Sequence, residues 1–232
     1  MIFKNEILMR HIVESSQMSV SNRGEYSLNE RMQIYVKDQL INNIDVQDVM
    51  KQLETSVPAH LLSEVDSIFI GFFEEFQTRD INAMFKDGAI YISNEQDNLE
   101  DMLDDIVHEI AHSLETPYGG IIYGDQKIEK EFFSKRMHLY QILNSEDLHP
   151  DKGAFRDLEY SHEMDDYLYH TVGYDRLNFI VSSYGLFVSA YAATSLQEYF
   201  ANGFEHFFLD DRKALYTCCP ELYKKIEELY EI

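Results

Sequence analysis

An α+β fold is predicted, and three features of the chain predict it. Ser67–Phe73 reads SIFIGFF, a β-branched and aromatic run, so it is expected to form a strand. AMFK and AIYIS flank Asp87-Gly88, a dipeptide that suits the two positive-φ positions of a type I′ turn, so Ala83–Ser93 is expected to be a hairpin. Leu99, Leu103, Ile106 and Ile110 then step by four, three and four, which makes one buried stripe on a helix. Together these give a small twisted sheet followed by helices.

Taken in order, residues 1–62 read as mostly helical. Ser27 and Glu30 form a capping-box pattern before RMQIYVKDQLI, which is read as a helix. Asp45 can cap a helix through about Thr55, and Pro58 suits the first turn of a short one. After the hairpin, Asp97 with Glu100 gives the capping pattern for the striped helix, which should end near Glu115 to Pro117, with Gly119-Gly120 as a turn. Ile128–Leu143 reads as another helix. Residues 144–162 are polar, contain Pro150 and Gly153, and are the best candidate for a mobile loop. Met164–Val172 and Arg176–Ser182 read as helices broken at Gly173, and Leu186–Tyr191 as a short extended piece. Leu196–Leu209 is helical, and Pro220 opens a last amphipathic helix.

Charge narrows the choice of partners. Acidic residues number 42 against 19 basic ones, a formal charge of −23, and such a surface repels phosphate backbones and anionic lipid. Nucleic acid and membrane surfaces are therefore not expected as partners. No run of eighteen apolar residues exists, and Lys4, Glu6 and Arg10 interrupt the apolar residues at the start, so neither a spanning helix nor a signal peptide is read and a cytoplasmic location is expected. Cys218 and Cys219 are the only cysteines; neighbours rarely bridge each other, and the pair is expected to be structural.

The striped helix carries His108-Glu109-Ile110-Ala111-His112, an H-E-x-x-H motif. Residues four apart on a helix lie about 40° apart around its axis and about 6 Å along it. His108 and His112 thus point the same way, off the apolar stripe, and both can reach one metal ion. Glu109 lies at the flank, where its carboxylate can reach a water but not easily the metal. Two nitrogen ligands and a free base are what a zinc hydrolase requires. The plain alternative is two exposed histidines on a surface helix. A third ligand is also needed, and the candidate is Glu198 in TSLQEYFANGFEHFF. Ser195-Leu196-Gln197-Glu198 is itself a capping box, so helix chemistry alone leaves Glu198 either a ligand or a cap. Asn202, one turn on, could orient a ligand imidazole or simply be solvated. His162, His170 and His206 carry less weight.

HEIAHSLE together with YAATSLQEYFANGFEHFF resembles the zinc peptidases related to anthrax lethal factor, a superfamily that includes the Mlc titration factor and Pro-Pro endopeptidase families. There a tyrosine stands seven residues before the glutamate ligand, in a segment reading E-F/Y-F-A. Tyr191 and Glu198 stand at that spacing, followed by Tyr199, Phe200 and Ala201. CPELYKKIEELY is similar to the terminal helix of the Mlc titration factor proteins. The resemblance spans about residues 67–115 and 186–232. Glu115 stands where relatives often have Asp, and the stretch between His112 and Glu198 is longer than the family implies.

The resemblance implies a zincin-like metallopeptidase fold: a catalytic domain over 63–232 with an insertion at about 116–185. Residues 1–62, outside the resemblance, are read as a helical extension packed on it. The resemblance also implies one Zn²⁺ per chain held by His108, His112 and Glu198, with Glu109 as general base. Tyr191, otherwise one of 16 tyrosines, would donate to the oxyanion. A protein or peptide would be the substrate. Two other readings are a catalytically silent zincin-like scaffold that binds a protein partner, and an all-helical interaction protein with a chance motif. Intact Glu109 and Tyr191 favour catalysis. Peptides bound to zincin-like folds lie along an unpaired strand edge. Ala89–Ser93, nearest the motif helix in sequence, is expected to be that edge.

Overall fold

A computed structural model describes residues 25–28, 32–42, 44–79 and 81–232; Glu30 and the helical reading of residues 1–24 lie outside them. Contacts divide the chain into two compact units. One joins the described residues through Thr55 to Leu62–Ile110, and the other joins Ser56–Leu61 to Ala111–Ile232.

The first unit is mixed α/β. Its elements are β1 (Glu25–Leu28), β2 (Met32–Val36), α1 (Val46–Ser56), β3 (Ser67–Gly71), α2 (Glu74–Arg79), β4 (Ala83–Lys86), β5 (Ala89–Ser93) and the start of α3 (Leu99–Ile122). The strands form one sheet in the order β1-β2-β3-β5-β4. β2, β3 and β5 run parallel, and the outer pairs β1–β2 and β4–β5 are antiparallel.

The register explains the sheet's two faces. Ile34, Ile68 and Ile90 stand side by side, as do Val36, Ile70 and Ile92, and each of these isoleucines is at most 1% exposed. Burying one such side chain contributes about 1.5–3 kcal/mol before entropy is counted. On the opposite face Tyr35, Phe69 and Tyr91 stack with ring centroids 5.0 and 5.3 Å apart. Met102, Leu103, Ile106, Val107 and Ile110 of α3 are also buried in this unit.

Three expectations change here. Met32–Val36 is a strand, not part of a helix. Its buried residues Met32, Ile34 and Val36 alternate with the less buried Gln33 and Tyr35, a period of two, and pairing with β3 outweighs the capping-like residues before it. The predicted α1 is present, with Asp45 Oδ1 accepting from Gln47 N at 2.9 Å. The hairpin is also present, with Asp87 at φ 52° and Gly88 at φ 78°. However, β5 is not the edge: it lies between β3 and β4. The two-residue turn folds β4 onto β5's outer side, so β4 takes the edge.

The third change concerns α3. Its cap is Asn98, whose Oδ1 accepts from Asp101 N at 2.9 Å while its Nδ2 donates to Asp101 Oδ2 at 2.9 Å, one residue later than the Asp97–Glu100 pattern. The helix does not stop near Pro117 but continues to Ile122. Proline removes one N–H and crowds the preceding turn, at a cost of about 3 kcal/mol or more. Fully buried Leu114 and Ile122, on either side of it, keep the segment helical. The chain turns just past Gly124, where a Cβ would lie 2.3 Å from the Gly120 carbonyl oxygen.

The second unit is helical. After α3 come α4 (Lys127–Ser145), a 3₁₀ turn (Ala154–Arg156), α5 (His162–Asp166), a π turn (Tyr167–Val172), α6 (Tyr174–Ser183), a 3₁₀ turn (Tyr191–Ala193), α7 (Leu196–Leu209), α8 (Arg212–Cys218) and α9 (Pro220–Tyr230). The break at Gly173 is present, at φ 82°. Leu186–Tyr191 forms no strand: Leu186 N bonds Val181 O at 2.8 Å and Ala190 N bonds Asn178 Oδ1 at 2.7 Å, so nearby partners take donors a strand would need. Phe132, Phe187 and Tyr199 meet with centroids 5.3–5.8 Å apart and are at most 2% exposed. A Cβ on Gly203 would lie 2.3 Å from Leu222 Cδ2, so α9 packs on bare α7 backbone.

The segment after α4 is anchored by a buried cation. Arg136, 1% exposed, donates to Asp157 O at 2.6 Å and Ala154 O at 3.0 Å and lies against Phe132 and Phe155. Burial draws its pKa down to about 10, which leaves it charged at neutral pH. The same segment then supplies Leu158 O to Leu196 N at 2.8 Å, at the start of α7. Among the described residues no helix is long and apolar enough to cross a membrane.

Ile68→Ala should cost about 2–5 kcal/mol in urea denaturation, since it opens a cavity in the isoleucine face. Phe72→Ala, at a residue 47% exposed, should stay within about 0.5 kcal/mol of the parent.

Candidate metal centre

Helix α3 carries His108 and His112, and Ser195 starts the helix that carries Glu198. Ser195 Oγ accepts from Glu198 N at 3.1 Å, so the predicted cap is formed by the backbone of Glu198. Its carboxylate faces the imidazoles: Glu198 Oε1 lies 3.7 Å from His112 Nε2. One ligand atom from each of His108, His112 and Glu198 lies within 4.8 Å of the other two, and all three residues are half-buried. Among the described residues, no other group of His, Cys, Asp and Glu gathers in this way.

The donor set fits a metal ion. His112 Nδ1 lies 2.7 Å from Glu115 Oε1, and Tyr123 Oη donates to Glu115 Oε2 at 2.7 Å. A carboxylate can only accept, so His112 carries its proton on Nδ1, and in the neutral ring Nε2 offers a lone pair. That lone pair faces a carboxylate oxygen. Two acceptors at this range repel unless a cation lies between them or the ring takes a second proton. Ligand atoms around a tetrahedral zinc stand roughly 3.3–3.5 Å apart, close to the separation of His112 and Glu198. Zinc suits two imidazoles and a carboxylate, with a fourth position left open.

Glu115 and Tyr123 form the support that sequence reading only half found. For Glu115 the available signal was its place at i+3 from His112. Tyr123 gave none, since its role depends on α3 continuing past Pro117. Burial and the neighbouring Glu115 push the Tyr123 phenol far above its ordinary pKa, so it remains a donor.

Glu109 is not one of the three grouped residues. It is 8% exposed, and its Oε2 accepts from Phe85 N on β4 at 2.6 Å. Lys86 and Ala89 flank a two-residue turn and form a hydrogen-bonded pair, which turns the N–H groups of Phe85 and Ala83 away from β5. Glu109 therefore meets the outer side of the edge strand.

Tyr191 sits on the 3₁₀ turn ahead of α7, with its ring edge-on to Tyr174 at 6.5 Å. Asn202 ties that turn to α7: its Nδ2 donates to Glu198 O at 2.9 Å, and its Oδ1 accepts from Ser189 Oγ at 2.5 Å. It braces the backbone that carries Glu198. His206 pairs with Asp210 at 2.9 Å, and His170 lies 3.9 Å from Asp166.

Glu115→Ala should weaken affinity for an added divalent metal ion about 10–100-fold, because His112 loses the acceptor that fixes its ring. Tyr123→Phe should weaken it less, and competition with a chromophoric chelator measures both. Comparison of the chain with protein-family models, with curated proteins and with solved structures finds no match, so the centre is read from its own residues.

Proposed function

We propose that this protein is a zinc-dependent peptidase of zincin type, with His108, His112 and Glu198 as ligands of one Zn²⁺, Glu109 as general base and Tyr191 as oxyanion donor. The observation that carries this reading is the convergence of the three ligand atoms beside a separately held, buried carboxylate. When bound, the ion would supply Lewis acidity toward water and a substrate carbonyl.

The chain's own residues do the rest. Glu109 takes the proton of the attacking water and passes it to the departing amide nitrogen. Its hold on Phe85 N fixes one carboxylate oxygen and with it the orientation of the group. Tyr191 donates its phenolic hydrogen to the oxygen that gains charge as water adds to the carbonyl. The hydrogen bonds through Ser189 and Asn202 keep its turn in register with Glu198. A silent scaffold would need the three ligands but neither a buried base nor that tyrosine.

A peptide substrate is supported by β4, which ends the sheet on the side that meets Glu109. An extended peptide can use an edge strand's backbone groups whatever its side chains are. Ala83 turns its N–H to that side.

Four variants test the reading. His108→Ala/His112→Ala should abolish stoichiometric zinc by elemental analysis; full zinc in this variant would reject the ligand set. Glu109→Gln should keep zinc and lose peptide hydrolysis by orders of magnitude in a peptide-library assay, while Tyr191→Phe loses about 10²–10³-fold. Unchanged turnover in Glu109→Gln would exclude it as the base. Ala83→Pro should raise KM for peptides without changing zinc affinity, since it removes an outward N–H and no ladder bond.

A further inference from the structure

In the second unit, an open cavity of about 760 Å³ is lined by Lys127, Lys130, Lys135, Cys218, Glu131 and Glu221, among others. Three ammonium groups around one cavity stand out in a chain with 42 acidic and 19 basic residues. Both carboxylates there are already engaged. Glu131 accepts from Tyr199 Oη at 2.8 Å and from the N–H groups of Glu221 and Leu222 at 3.0 and 3.1 Å. Glu221 accepts from Lys224 Nζ at 2.7 Å. Lys127 has Asp125 at 3.2 Å, and Lys135 donates to the Cys218 carbonyl at 2.7 Å, which holds its charge beside that residue.

Cys218 and Cys219 are free thiols of unequal character. Cys219 is buried and Cys218 is only partly so. Donation from the Cys219 thiol, aided by the charge of Lys135 and opposed by burial and the charge of Glu131, lowers the Cys218 pKa to about 7. Cys219 moves the opposite way, through its bond to Cys218 and its burial. Cys218 is thus the more readily ionised member of the pair.

We propose that Cys218 is a thiol-exchange site for anionic low-molecular-weight disulfides of the glutathione disulfide class, gathered by the lysines of this cavity. The Cys218 thiolate attacks one sulfur of the disulfide. A mixed disulfide forms as the original S–S bond breaks, and glutathione leaves as a thiolate that takes a proton from water. The disulfide itself is the oxidant. Cys219 does not resolve the adduct, because its thiol stays protonated and a bridge between adjacent residues is strained.

The field of the whole chain opposes this preference. A net charge of −23 favours a cationic disulfide at an ordinary surface cysteine, so the order of two rates decides the matter. The full-length protein is treated at low ionic strength with glutathione disulfide or with cationic cystamine, and adducts are followed by intact mass and peptide mapping. Glutathione disulfide should react roughly tenfold faster, with the adduct on Cys218. Cys218→Ser should not be labelled, and Lys127→Glu/Lys130→Glu should invert the order of the two reagents. Chelating the metal should change none of these rates, which separates this site from the zinc centre. Faster reaction with cystamine, an adduct on Cys219, or an unchanged order in the lysine double variant would overturn the proposal.

Discussion

The angular step of one helix governs the candidate metal centre and the chemistry proposed for it. Along α3, residues 108 and 112 share a face, 109 turns to its flank, and 115 returns beneath 112. Those offsets alone set the two imidazoles, the Glu109 carboxylate and the Glu115 carboxylate in different directions. The arrangement survives only because α3 does not stop at Pro117. An earlier end would free Glu115 from Tyr123 and loosen the carboxylate that accepts from His112 Nδ1. A helix-breaking residue is thus tolerated inside the segment on which the site most depends.

Local chemistry could be read from the sequence wherever it was itself local. His108, His112 and Glu109 follow from helical geometry, the Asp87-Gly88 hairpin from turn stereochemistry, and the Ser195 cap from its hydroxyl. What escaped depends on partners distant in the chain. Met32–Val36 reads as helix in isolation because only its pairing with β3 rewards the two-residue alternation. The edge position passes from β5 to β4 because strand order is set by how the hairpin docks. Asn202 was weighed as a support for an imidazole, yet its amide is used on the backbone of Glu198 and on Ser189.

The long stretch between His112 and Glu198 is tied down by specific bonds. Arg136 is buried with two backbone carbonyls for partners and aromatic rings beside it, so its charge is spread over dipoles rather than matched to one carboxylate. Buried ion pairs often gain little over their desolvation cost, and an arginine against carbonyls and rings avoids adding a second desolvated ion. Through it, residues 154–158 are held where Leu158 O can meet the first turn of α7, the helix that carries Glu198.

The bond between Glu109 and Phe85 has a consequence beyond aiming a carboxylate. The outer flank of an edge strand is a template on which a neighbouring molecule can add its own strand, and sheets that leave it bare tend to aggregate. Here the edge is four residues long, it ends in Lys86, and one of its outward N–H groups is occupied by a carboxylate from the same chain. A net charge of −23 adds repulsion between copies. Intermolecular sheet growth is thereby discouraged at the same backbone where a short peptide could still pair.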